Sequence, residues 1–456
     1  MQPASPHGSW SSRTTFLLAA VGAAVGLGNI WKFPYLTGVS GGGAFVAVYV
    51  LCAIVVAVPI LIGELLVGRR GHRSPAVAME QVASESGRSG AWWLVGALGI
   101  VVAYLILSYY SVIAGWALSY VFSSVSGTFA GASGETVAAH FSSLLADPLA
   151  LIFWHTVFMS LTVAVVAPGL QRGIERAVTI LMPALFVMLL FLIAYAAVTV
   201  DMAGAIDFLF SPDFSKVDAQ VVLAAVGQAF FSIGVAMGIM MTYGAYLPRE
   251  VSIPRAALII AAADTTVAIL AGLAIFPLVF ANGLDPGEGP GLIFVTLPIA
   301  FGSMPGGSLF GFVFFVLLTF AALTSAIAVL EPMVSWVRDR FGVARVQTTI
   351  AAGIVAWLIG LSTVFSFNLW ADVRLLPMIE GFADKSLFDL LDHLTSNIMI
   401  PVGGIFIAVF VGWRMKRSAL LDELGVTDTW LFRAWRFLIA VVCPVAILLI
   451  LLGSIV

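Results

Sequence analysis

Hydrophobic positions in this chain come in long unbroken runs rather than in alternation. Eleven stretches are almost wholly apolar, at approximately 14–37, 42–68, 92–124, 149–167, 174–200, 217–246, 254–281, 308–338, 348–367, 394–414 and 430–454. Runs of about twenty residues or more match the length of an α-helix crossing a hydrocarbon layer, whereas outer-membrane barrel strands would read as about ten alternating residues. The pattern predicts an all-α polytopic membrane protein with about 11 transmembrane helices.

Two of the runs depart from what an unbroken helix wants. The first contains "GAAVGLGNIWKFP" at Gly22–Pro34, with three glycines, Asn29, Lys32 and a closing proline. The sixth contains "GQAFFSIGVAMG", with glycines at 227, 234 and 238. A broken turn frees backbone N–H and C=O groups that lipid cannot satisfy, so a bound ion, a substrate or cavity water has to meet them. Matching interruptions in two halves of a chain mark inverted repeats whose broken helices form a binding site. The organisation expected is a cytoplasmic segment 1–13, a first repeat 14–200 (spans 1–5), an extracellular loop 201–216, a second repeat 217–414 (spans 6–10), and 415–456 as a loop with a peripheral eleventh span. Gly22 and Gly26 also form a GxxxG pair, which taken alone would only let two helices approach closely.

Composition agrees: 61% hydrophobic residues, 10% charged and a mean hydropathy of +1.08 leave too little polar surface for a soluble globule of 456 residues. With the N-terminus inside, seventeen Lys and Arg fall on the cytoplasmic side and only Lys32, Lys216, Arg374 and Lys385 face out. That bias follows the positive-inside rule and predicts a multi-pass protein of the cell (plasma) inner membrane with a cytoplasmic N-terminus. Met1–Arg13 lacks a cleavable signal layout. The net charge of −3 argues against a nucleic-acid partner. Cys52 and Cys443 lie in apolar runs and read as buried thiols, and the five histidines show no metal-ligand spacing. No nucleophile and base stand in a catalytic pattern, so an enzyme is not expected.

Six motifs, "GAAVGLGNIWKFPY", "GGGAFVAVY", "GELLVGRRG", "GIERAVTILMP", "GQAFFSIGVAMG" and "LTSAIAVLEP", together resemble the neurotransmitter:sodium symporter family. They are most similar to its bacterial eleven-span amino-acid transporters, which have the leucine-transporter fold. The resemblance runs from Trp10 to the tenth span and rests on the order and spacing of all six motifs. It implies sodium-coupled symport by alternating access with two sodium sites. One would be formed by the carbonyls of Gly22, Val25 and Ala321 with the hydroxyls of Thr324 and Ser325. Read by itself, "LTS" favours hydroxyls that bond back to their own helix. The other site would use the carbonyl of Ala24 (or Ala23), Asn29, Ser232, Asp264 and the carboxylate of the substrate. All-oxygen coordination suits a hard cation.

Asp264 departs from the commonest family pattern, which has an Asn there. A carboxylate deep in a span costs about 3 kcal/mol on insertion scales and needs a compensating partner. Chloride-dependent relatives hold the anion with residues matching Tyr49, Gln228 and Ser232, and place a Ser where this chain has Ala268. The expectation is that Asp264 supplies the negative charge and transport is chloride-independent. Monoamine-transporting relatives carry an Asp at the position of Gly26, so this substrate should bring its own carboxylate to Tyr110, sodium and the backbone of Gly26, Leu27 and Gly28. Its side chain would meet Ile106, Phe231, Gly234, Met237, Ala326 and Val329, with Ala24, Phe230, Ser232 and Ser325 as further substrate-binding candidates. These are mainly apolar and favour a neutral hydrophobic amino acid, aliphatic or aromatic. Ala236 stands where a Gly is expected.

For the gates, Lys32 and Asp392 match the outer charged pair, with Phe231 and Tyr110 as the lid. Trp10, Tyr246, Glu331 and Asp339 match the inner gate. His7 stands where an Arg is usual, so either Arg13 or a protonated His7 would pair with Asp339. Gly173 and Pro183 match a pair that lets the fifth span unwind, and Glu64 is expected to bond free backbone near the sixth-span break. The alternative is a proton-coupled transporter or exchanger of the same broad fold, with Asp264 as the proton carrier. Oligomeric state is not encoded in any of these motifs.

Overall fold

The computed structural model describes residues 8–287, 291–379 and 381–453, and among them there is no β-strand. Among the described residues nine continuous helices are long and apolar enough to cross a membrane: Gly43–Gly71, Gly90–Val125, Pro148–Val166, Leu170–Thr199, Ile253–Ala281, Gly307–Phe341, Arg345–Ser366, Leu387–Arg414 and Trp430–Gly453. The two remaining runs are the interrupted ones. The first span is Arg13–Ala24 followed by Gly28–Val39, bent by 51° at the break. The sixth is Ala219–Ile233 followed by Ile239–Ala245.

Local chemistry accounts for both breaks. In the first span Val25 turns to an extended conformation (φ −72°, ψ 110°) and ends the half-helix. In the sixth, Gly234, Ala236 and Gly238 adopt φ of 71°, 67° and 70°, so the chain passes through the left-handed region at every second residue. Glycine accepts that region without a Cβ clash, whereas Ala236 pays for it. The first half-helix of each broken span begins on a side-chain cap: Ser12 accepts from Thr15 N, and Asp218 accepts from Val221 N.

The seven-residue half-helix Ile239–Ala245 is too short to persist alone. It is held by the second span at two bare positions. A Cβ on Gly68 would come within 1.9 Å of Met241 O, and one on Gly244 within 2.6 Å of Leu65 O. The best apolar window of the eighth span is 83% buried and that of the eleventh only 17%, so the eighth forms the interior and the eleventh lies at the margin. Short helices join the spans: Pro75–Glu85, Gly134–Ala146, Ala203–Phe210, Leu292–Ser303, which opens with a wide turn at Leu292–Thr296, and Arg417–Leu424. Cys52 and Cys443 are buried free thiols.

Candidate functional site

The carbonyls released where the first half-helix ends face the middle of the eighth span. Ser325 Oγ lies 3.1 Å from Val25 O and 3.5 Å from Gly22 O. Thr324 Oγ1 bonds back to Ala321 O at 3.0 Å and Phe320 O at 3.1 Å. Gly22 packs against it, since a Cβ there would stand 3.3 Å from Thr324 Cβ. The back-bonding expected of an isolated "LTS" and the gathering of oxygens implied by the resemblance are therefore both present. Gly22 O, Val25 O, Ala321 O, Thr324 Oγ1 and Ser325 Oγ are all neutral, and a small monovalent cation is the ligand such a set suits.

A second polar cluster sits beside Asp264, whose side chain is fully buried. Its carboxylate accepts from Asn29 Nδ2 at 2.7 Å, Ser232 Oγ at 2.8 Å and Tyr49 OH at 3.1 Å. Asn29 also receives Gly26 N on its Oδ1 at 3.0 Å, tying the broken turn of the first span to the sixth and seventh. Gln228 Nε2 donates to Gly28 O at 2.9 Å. Among the described residues the cluster contains no cationic side chain, so the carboxylate is compensated by three neutral donors, Asn29, Ser232 and Tyr49. Among the described residues no group of three His, Cys, Asp or Glu is placed to hold a metal ion such as zinc.

Between these clusters the backbone at 26–28 lines a bare surface. A Cβ on Gly26 would meet Ser325 Oγ at 2.5 Å and Tyr110 OH at 2.9 Å. Tyr110 OH in turn accepts from Leu27 N at 3.3 Å. Phe231 closes over Gly28, with its Cδ1 3.2 Å from where a Cβ would be. Ile106 precedes Tyr110 by one turn on the third span, and Val329 follows Ser325 by one turn on the eighth, so each shares its partner's face. Both are buried, as are Ala24 and Ala326. Met237 folds its Cε to 3.5 Å from the Cβ position of Gly234.

The ring of Phe230 lies against Gly404 of the tenth span, 2.8 Å from the Cβ position there. Consecutive helical residues point about 100° apart, so Phe230 and Phe231 cannot both face Gly28. Glu64 is fully buried near the amides of Ala236 and Gly238, as expected, yet its oxygens close no well-directed hydrogen bond among the described residues.

Both gates also differ from expectation. Lys32 and Asp392 are not paired. Lys32 Nζ sits 4.4 Å from the centre of the Phe231 ring, while Asp392 accepts from Ser396 Oγ at 3.0 Å and Tyr109 OH at 3.2 Å. Each charge has found a nearer partner, the ammonium an aromatic face and the carboxylate two hydroxyls. At the end carrying the N-terminus, Asp339 pairs with Arg73, from the loop after the second span, at 3.3 Å and accepts Ser74 N at 2.7 Å. His7 lies outside the described residues.

The rest of that end is closed by Trp10 and Glu331. Trp10 donates its indole N–H to Tyr243 O at 3.0 Å and its backbone N–H to Tyr246 O at 3.1 Å. Glu331 accepts from Tyr246 OH at 2.9 Å and pairs with Arg345 at 2.5 Å. Ser11 is held by Glu175 through its amide at 2.7 Å and hydroxyl at 2.6 Å. Arg73 and Arg345 enter the sequence reading only as cytoplasmic charges and Glu175 only within a motif, none with a site role. In a chain whose arginines crowd one face, nothing in spacing sets these apart; Glu175, an acid among those arginines, was the available signal.

Two broken spans facing each other over free carbonyls, hydroxyls and one buried carboxylate define a sodium-coupled secondary transporter of the leucine-transporter fold. The chain belongs to the sodium:neurotransmitter symporter family, whose profile matches residues 7–143 and 136–456. It is 37% identical to the sodium-dependent transporter YhdH of Bacillus subtilis (strain 168) over 449 residues, covering 98% of this chain and 97% of that one. The sodium-dependent dopamine transporter of Bos taurus is 25% identical over 491 residues, covering 94% and 64%. The crystal structure of MhsT in complex with L-phenylalanine superposes with a TM-score of 0.88 at 40% identity, covering 98% of this chain and 99% of that one. The protein is thus a multi-pass membrane protein that couples sodium to the movement of a small molecule.

Proposed function

We propose that this transporter carries a neutral hydrophobic L-amino acid together with sodium, without a requirement for chloride. The observation that carries the reading is the bare backbone at Gly26, where even one methyl group would collide with Ser325 Oγ and Tyr110 OH. No side-chain carboxylate fits there to neutralise an amine, so the substrate supplies its own, received by Leu27, Gly28 and the Tyr110 hydroxyl. Beyond it the lining is Ile106, Phe231, Met237, Ala326 and Val329, without a charge to welcome an ionic side chain. A phenylalanine-sized substrate, such as the one MhsT holds, is compatible with the adaptable Met237.

Two sodium ions are assigned on the same footing. One takes Gly22 O, Val25 O, Ala321 O, Thr324 Oγ1 and Ser325 Oγ, bridging the first-span break to the eighth span. The other takes Ala24 O, Asn29 Oδ1, Ser232 Oγ, Asp264 and the substrate carboxylate, so that substrate and ion bind as one unit. Chloride independence is supported by where the donors point. Tyr49 and Ser232 already donate to Asp264, and Gln228 donates to Gly28 O. A fixed carboxylate stands where relatives would need a halide.

In this reading the repeats are 14–200 and 217–414. The arginine-rich end, sealed by Trp10, Glu331 and Asp339, faces the cytoplasm, with the N-terminus inside the inner membrane. The test is thermal stability of the purified protein with each of the twenty amino acids in sodium chloride, sodium gluconate and potassium chloride. A ligand raises the melting temperature in proportion to its occupancy. Stabilisation by hydrophobic amino acids alone, equal in both sodium salts and lost in potassium, is the expected outcome. A requirement for chloride would overturn the role of Asp264, and stabilisation indifferent to sodium would favour proton coupling.

A further inference from the structure

At the arginine-rich end, the tenth and eleventh spans leave a groove of about 560 Å³ between them. Its membrane-side wall is apolar, formed by Gly412, Phe437, Ala440 and Val441. The two spans touch closely there, because a Cβ on Gly412 would lie 2.7 Å from Ala440 Cα. The rim at the helix ends is cationic. Arg417, Arg433 and Arg436 line it with Asp428 as the one carboxylate, leaving two net positive charges. Asp428 is shared between Arg417 and Arg433, and Arg436 has no carboxylate of its own among the described residues.

Aromatic side chains mark the depth of this groove. Trp413 is 62% exposed, Phe437 58% and Trp430 74%, all on the two helix ends that frame it. Exposed Trp and Phe beside arginines are what a membrane–water interface selects, with rings at the headgroup level and guanidinium groups reaching the phosphates. The rim is on the same face as the helix Pro75–Glu85, to which Lys416 bonds at Glu85 O (3.0 Å). The groove thus combines, in the right order along the membrane normal, an apolar channel open to lipid and a forked cationic cradle.

We infer that this groove is a binding site for one anionic phospholipid, with an acyl chain against Phe437 and Val441 and the phosphate on Arg433 and Arg436. Charge complementarity selects an acidic headgroup over a zwitterionic one, since the latter brings its own cation to a rim that already has an excess. Guanidinium groups suit the phosphate because they bind it bidentately.

The test is native mass spectrometry of the full-length protein in neutral detergent with equal amounts of dioleoyl phosphatidylglycerol and dioleoyl phosphatidylcholine. One phosphatidylglycerol should be retained in clear excess, and inorganic phosphate at the same concentration should not displace it. Arg436→Gln should cut that excess roughly fivefold, the worth of one interfacial cation. Val441→Trp, which fills the apolar wall and touches no arginine, should lower retention independently, with both variants keeping the melting temperature of the wild type. Equal retention of the two lipids, displacement by phosphate, or wild-type excess in both variants would overturn the inference.

Discussion

Gly26 is where a single atom decides what can bind. A Cβ there would stand 2.5 Å from Ser325 Oγ and 2.9 Å from Tyr110 OH, closer than real Cβ contacts come. Gly26→Ala has to displace both hydroxyls, one from the proposed sodium oxygens and one from the backbone that would receive the substrate carboxylate. We expect substrate affinity in sodium to fall at least tenfold, about 1.4 kcal/mol, while the ligand-free protein still folds. A titration giving wild-type affinity would remove Gly26 from the site. Residues of this kind were legible in the sequence because they intrude on a pattern: Gly26, Asn29 and Asp264 are out of place in apolar runs, and Thr324 and Ser325 stand together in one. The different directions of Phe230 and Phe231 were not legible, because two adjacent aromatics look alike until a helix phase is assigned. Arg345 was missed because its partner Glu331 lies fourteen residues back, across the turn into the ninth span.

The broken sixth span shows what a half-helix needs from its neighbours. Its turn uses the left-handed region three times, and Ala236 is the position where a side chain bears the cost. Ala236→Gly relieves about 1–2 kcal/mol of local strain and returns about 0.5–1 kcal/mol through the greater freedom of glycine in the unfolded chain. The Cβ removed is fully buried and lies on the side of Gly403 of the tenth span, which has no side chain to meet it. The net expectation is a more stable protein by roughly 1 kcal/mol, read as a melting temperature about 2 °C higher; a lower one would mean the alanine is needed for packing. At this scale the long spans were readable to within a few residues, since lipid demands the same length of each. The joining helices were not. Pro75–Glu85 and Arg417–Leu424 owe their place to partners distant in sequence, such as Glu423 on the buried Arg69 at 2.6 Å, and carry little periodic signal of their own.

Across the whole molecule the two ends of the proposed pathway are secured differently. At the arginine-rich end Trp10 and Ser11, which lead into the first half-helix, are tied to Tyr243 of the sixth span and Glu175 of the fifth, while the Glu331–Arg345 and Asp339–Arg73 pairs tie the eighth span to the ninth and to the loop after the second. At the opposite end Lys32 rests on Phe231 and makes no pair with Asp392, a contact weak enough to open repeatedly. This asymmetry makes the first half-helix, Arg13–Ala24, the element whose release would open the sealed end. Trp10 is its anchor, 3% exposed and edge-on to Tyr243 with ring centres 5.2 Å apart. Replacing a buried Trp by Ala costs about 3–5 kcal/mol, and here the loss falls on the sealed state alone, because the indole has those partners only when the half-helix is docked. Trp10→Ala should therefore raise hydrogen exchange at backbone amides of Arg13–Ala24 at least tenfold, leave the second span unchanged, and be countered by saturating sodium with substrate, which would re-dock Gly22 and Val25 on the eighth span. Exchange that rose equally throughout the protein would instead mean that Trp10 supports the fold as a whole, and exchange that did not change would mean that the ion pairs hold the seal without it.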